Sequence, residues 1–67
     1  MKIKLNNRTE EIAEDHLTVQ RLLERKKFTF KMLIIRVNGI IVKKDQYNET
    51  VIHDGDDVMV LHLISGG

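Results

Sequence analysis

Residues 32–42, Met32-Leu33-Ile34-Ile35-Arg36-Val37-Asn38-Gly39-Ile40-Ile41-Val42, read as two strands around a tight turn. β-Branched and apolar residues dominate both arms, and such side chains suit a pleated, half-buried surface. Asn-Gly is the strongest short hairpin signal, because a two-residue turn that matches strand twist needs positive φ at both positions. Upstream, Thr18 is placed to cap a helix, its hydroxyl meeting a free amide of the first turn. Val19, Leu22 and Leu23 then recur at i, i+3 and i+4 as one apolar stripe. Arg25, Lys26 and Lys27 follow where cations suit the helix dipole, as a solvated helix end. The spacing predicts an amphipathic helix of about two or three turns.

Further upstream, Lys2-Ile3-Lys4-Leu5-Asn6 alternates strictly, with Ile3 and Leu5 on one face. Asn6-Asn7 is a turn, since Asn tolerates the left-handed region. Thr9 to Glu14 form a weaker strand with Ile12 inward, closing an N-terminal hairpin. Downstream, residues 43–53 read as irregular, with a short helical turn around Asp45 to Tyr47. Asp54-Gly55-Asp56 is a turn, and the last strand runs from Asp57 to about Ile64. The order is therefore ββαβββ. One short helix must bury its stripe against a sheet face. The expected fold is α+β, a ubiquitin-like β-grasp roll. It has a mixed sheet of four or five strands and one helix packed on one face. Residues 1–64 form the domain and residues 65–67 a flexible C-terminal tail ending in Gly-Gly.

The chain has 67 residues, room for one core. Its apolar fraction of 42% is ordinary for a globular protein, and without Trp the core must be aliphatic. Cysteine is absent, which excludes disulfides and a thiol nucleophile. A net charge of +1 argues against general nucleic-acid binding, which draws on a strong basic surplus. The first residues lack the apolar segment of a signal peptide, and no stretch is long and apolar enough to span a bilayer. A cytoplasmic protein is expected.

Catalytic constellations are missing. His16, His53 and His62 lack metal-binding spacing. Asp54, Asp56 and Asp57 imitate only the start of a calcium loop; the twelfth position from Asp54 is Ser65, where a bidentate Glu is required. No phosphate loop, triad or carboxylate pair is present. What remains is the end, Ser65-Gly66-Gly67, directly after a strand. Chain ends are commonly loose. A terminus without side chains can also thread a narrow channel and present its carboxylate to another enzyme.

Together, four patterns resemble the ThiS family, the sulfur carriers of thiamine thiazole biosynthesis: Leu17-Thr18-Val19-Gln20-Arg21-Leu22-Leu23, Val37-Asn38-Gly39-Ile40-Ile41-Val42, Asp54-Gly55-Asp56-Asp57-Val58 and Gly66-Gly67. The likeness covers essentially the whole chain. Lys43, Lys44 and Tyr47 stand where the family often has Pro-Arg and then Trp, and Met59 where it often has Glu.

The resemblance implies a protein co-substrate rather than an enzyme, with no cofactor of its own. An E1-like, ThiF-like adenylyltransferase would use ATP and Mg²⁺ to adenylate Gly67. Sulfur from a persulfide-bearing donor, such as a cysteine desulfurase, would convert it to a thiocarboxylate for a ThiG-like thiazole synthase. A terminal carboxyl, with an ordinary pKa of roughly 3.3–3.7, is ionised near neutrality and a poor electrophile until activated. Four residues beyond Leu63 reach at most about 13–14 Å. Gly66 suits close walls, and Ser65 is read as a spacer within the threading tail. In ubiquitin-like folds the Val58 and Val60 phase of the last strand faces the core. Met59, Leu61 and Leu63 would then form an apolar open face for partners. The opposite phase, or cover by residues 43–53, would remove that face. Alternatives are the small (MoaD-like) subunit of molybdopterin synthase, a modifier conjugated through Gly67, and a plain interaction module.

Overall fold

The computed structural model describes residues 1–28 and 33–62. β1 (Lys2–Leu5) and β2 (Arg8–Glu11) form the N-terminal antiparallel hairpin, with Leu5 opposite Arg8. Asn6 and Asn7 make its turn at φ 51° and 66°, the positive values that a two-residue hairpin needs. Ile12 follows β2, and its N–H donates to the Met1 carbonyl at 2.7 Å.

β3 is only Leu17–Thr18 and runs straight into α1 (Val19–Arg25). Thr18 ends the strand in extended geometry, and its hydroxyl accepts from Arg21 N–H at 3.1 Å. The helix closes on Lys27, at φ 58°. Lys27 N–H donates to the Glu24 carbonyl at 3.1 Å and Phe28 N–H to that of Leu23 at 2.8 Å. This is the Schellman arrangement, completed by Phe28 packing on the core. The basic cluster is more than a solvated end. Lys26 Nζ lies 2.9 Å from Glu10 in the first hairpin, and Arg25 pairs with Glu14 in the segment after β2, which ends at Glu11 rather than at the expected Glu14. Exposed pairs like these contribute little stability.

β4 (Leu33–Val37) and β5 (Ile40–Val42) pair antiparallel with Val37 opposite Ile40. Asn38 and Gly39 turn between them at φ 52° and 82°. The expected start of this strand at Met32 lies outside the described residues. A 3-10 turn at Lys44–Gln46 stands one residue before its expected place. β6 (Val51–Ile52) follows and pairs antiparallel with β3, Leu17 opposite Ile52. This small ladder lies within a segment expected to be irregular. β7 (Asp57–His62) closes the fold. Its expected end at Ile64 lies outside the described residues.

The main sheet is five-stranded and mixed, ordered β2-β1-β7-β4-β5. β1 and β7 are parallel, while β4 and β7 are antiparallel along Leu33↔His62 to Val37↔Val58. Ile3, Leu5, Ile35, Val42, Val58 and Val60 are buried from the sheet; Val19, Leu22 and Leu23 are buried from the helix. Leu17, Ile52 and Tyr47 close the same cluster. The segment after β5 lies on this helix side: Val19 N–H donates to the Thr50 carbonyl and Gln20 N–H to that of Tyr47, both at 3.0 Å. It covers the core, and among the described residues no segment covers the opposite sheet face. Among the described residues no helix is long and apolar enough to cross a membrane.

Candidate functional site

Two independent clamps fix β7. At its start, Asn38 Oδ1 accepts from Asp57 N–H at 2.9 Å, while Asn38 Nδ2 donates to Asp56 Oδ1 at 3.0 Å. The other Asp56 oxygen accepts from His53 N–H at 2.8 Å, and Asp54 accepts from Lys2 N–H at 2.6 Å. These carboxylates are thus occupied in holding a turn, with Gly55 at φ 86°. Further along, β1 ends after Leu5, and Asn6 Oδ1 accepts from Val60 N–H at 2.8 Å in its place. The strand leading to the C-terminal residues is anchored at both points to turns whose asparagines were legible as turn formers.

Val58 and Val60 are buried, so Asp57, Met59 and Leu61 point to the uncovered face. The expected phase is observed. Leu61 is 38% exposed and Met59 half-buried. Leu63, Ser65, Gly66 and Gly67, the rest of the expected partner face and tail, lie outside the described residues.

Register brings three further residues to this face that sequence reasoning did not single out. Arg36 lies opposite Met59 on one side and Ile41 on the other, and Ile34 lies opposite Leu61. Ile41 is 58% exposed. The signal for them was available: a two-residue Asn-Gly turn fixes the β4–β5 register, and alternation then assigns every side chain to a face. Ile34, Ile41, Met59 and Leu61 make an apolar patch around one guanidinium. Such a patch on a sheet face suits a protein partner, and methionine adapts to varied surfaces.

The described histidines do not converge. His16 is exposed, and His53 Nδ1 stands 3.9 Å from Asp56 as a neighbour in the turn. No group of three or more metal-ligating side chains occurs among the described residues.

Known proteins share both the sequence and the shape of this chain. It is 29% identical over 65 residues to sulfur carrier protein ThiS of Bacillus subtilis (strain 168), covering 97% of this chain and 98% of that one. The crystal structure of the thiamine biosynthesis protein ThiS from Geobacter metallireducens superposes with a TM-score of 0.89 at 25% identity, each chain covered completely. The solution NMR structure from the same organism gives a TM-score of 0.83, also at 25% identity, over all of this chain and 88% of that one. These neighbours carry the β-grasp arrangement, with one helix over a mixed sheet, seen here. The ThiS family model matches residues 3–67, and the chain belongs to the ThiS family.

Proposed function

We propose that this chain is the sulfur carrier of thiamine thiazole formation, bearing sulfur as a thiocarboxylate at Gly67. The observation that carries the reading is the family match, which runs from the first strand through Gly66-Gly67. Near-complete coverage of a relative named as a sulfur carrier supports it. The chain contains no cysteine, so a side chain cannot store the sulfur.

The chemistry follows from the carboxylate. An oxygen of the Gly67 carboxylate attacks the α-phosphorus of ATP in a ThiF-like partner, pyrophosphate leaves, and an acyl adenylate remains. The terminal sulfur of a persulfide attacks the acyl carbon and expels AMP. A thiol then cleaves the resulting acyl disulfide, leaving as a mixed disulfide and freeing the thiocarboxylate. Thiazole synthase receives that sulfur. Mg²⁺ and ATP belong to the activating partner. This chain contributes a rigid body, a docking face and a narrow tail of Ser65, Gly66 and Gly67; it acts as co-substrate, not catalyst.

Intact mass spectrometry of the chain with a native Gly67 end tests this. The chain is purified from cells with the adenylating enzyme and from cells lacking it. A mass gain equal to one oxygen replaced by sulfur, mapped to Gly67 and absent without the enzyme, is expected. An unmodified terminus beside a demonstrably active enzyme and sulfur source rejects the carrier reading. Restored thiamine synthesis on supplying the chain to a carrier-null strain separates this pathway from molybdopterin formation. High-mass conjugates through Gly67 would instead mark a protein modifier.

A further inference from the structure

We propose that Arg36 sets partner choice on the open sheet face by pairing with a carboxylate that the adenylating partner presents inside an apolar rim. Identifying that partner rests on the carrier reading above; the recognition chemistry comes from the face itself.

Arg36 is exposed at the middle of β4. Its cross-strand neighbours are Met59 and Ile41, and Ile34 lies two residues earlier on the same face, opposite Leu61. Register thus flanks Arg36 with apolar residues, while Lys4 and Asp57 stand opposite each other further along the same face. Among the described residues it makes no salt bridge: the pairs formed are Arg25–Glu14, Lys26–Glu10 and His53–Asp56. Asp57 is the nearest carboxylate on this face by register, two residues before Met59, and it lies directly opposite Lys4 instead.

A purely apolar partner would bury this guanidinium without a counter-charge, at high cost. A basic partner would add repulsion. A nucleic-acid backbone would meet four apolar side chains and the Asp57 carboxylate, with Lys4 already opposite that carboxylate, where it needs further cations. A carboxylate ringed by apolar side chains matches both parts of the face. The guanidinium fork accepts it in bidentate fashion, and the rim excludes water from the pair. A pair desolvated this way affects affinity far more than a surface ion pair.

The test uses the full chain and the purified adenylating partner, with dissociation constants measured across a range of salt concentrations. Thermal melting confirms that each variant is folded, as an exposed strand position allows. Arg36→Met keeps an unbranched apolar stem and removes the guanidinium, and Arg36→Glu reverses the charge. Both are expected to bind roughly 30-fold or more weakly, with Arg36→Lys between them and wild type. Added salt should weaken wild type more than Arg36→Met. Arg36→Met binding within about threefold of wild type, or equal salt dependence of the two, overturns the proposal. Conversion of wild-type Gly67 to the thiocarboxylate is scored in parallel. Binding without conversion rejects the carrier reading and leaves the Arg36 comparison to decide this proposal. Absence of wild-type binding rejects the Arg36 proposal.

Discussion

Asn6 Oδ1 accepts a hydrogen bond from Val60 N–H at 2.8 Å, joining residues 54 positions apart. β1 has ended by this point, so the side-chain amide stands in for the missing backbone acceptor. Asn6 also holds φ 51° in the hairpin turn. One residue thus satisfies two requirements, a left-handed backbone and an acceptor reaching a neighbouring strand. Asn6→Ala removes both and leaves a partly buried N–H unpaired. A loss of about 1–3 kcal/mol is expected, read by urea denaturation. Asn6→Asp retains the acceptor and should lose less. Equal losses for the two variants would refute the acceptor role.

Lys27 is the left-handed residue that ends α1, at φ 58°. A side chain there costs roughly 1–2 kcal/mol relative to glycine, because Cβ approaches the following carbonyl. The Lys27 N–H and Phe28 N–H bonds depend only on the backbone. The charge pairs at this end use Arg25 and Lys26, so Lys27→Gly keeps them. Lys27→Gly is therefore expected to stabilise the chain by about 0.5–1 kcal/mol, after glycine's larger unfolded-state entropy is deducted. A lower denaturation midpoint for Lys27→Gly would contradict this account.

Met59 lies directly opposite Arg36. Met59→Glu places a carboxylate beside the guanidinium, and an opposite-charge cross-strand pair contributes roughly 0.2–1 kcal/mol. The variant should fold at least as stably as wild type. It should also bind the adenylating partner more weakly, because it removes apolar surface and occupies Arg36 internally. Unchanged affinity, measured by calorimetry, would place the docking surface elsewhere.

Local chemistry made much of this architecture legible. Asn6-Asn7, Thr18, Asn38-Gly39 and Asp54-Gly55-Asp56 each announce a turn or cap through a single residue's backbone preference, and each is observed where expected. Alternation separated Val58 and Val60 from Met59 and Leu61, and the resemblance to ubiquitin-like folds supplied which set faces the core, as is observed. The β3–β6 ladder was not legible, because two residues per strand cannot display a period of two. Thr18 masked it further, since the signal for a helix cap and the end of a strand fall on one residue. Arg36, Ile34 and Ile41 needed strand register as well as alternation, because their neighbours on the face belong to other strands. Residues 43–53 gave no periodic signal, and their place on the helix side is set by the Tyr47 and Thr50 carbonyls that meet the first amides of α1.

The two ends of the chain are expected to respond oppositely to added residues. Met1 already pairs with Ile12 just beyond the β1–β2 hairpin: its amino group donates to the Ile12 carbonyl at 2.5 Å, and its carbonyl accepts from Ile12 N–H. An N-terminal extension turns that amine into an amide, which still donates, so the pairing persists. An extension after Gly67 removes the carboxylate that adenylation requires. An N-terminal tag should therefore leave thiocarboxylate formation near the wild-type rate. A C-terminal tag that remains uncleaved, or deletion of Gly67, should abolish it while the melting temperature stays unchanged. Comparing carriers tagged at each end by intact mass checks both arms. Full sulfur loading of the C-terminally tagged chain would show that the sulfur is not carried on the Gly67 carboxylate.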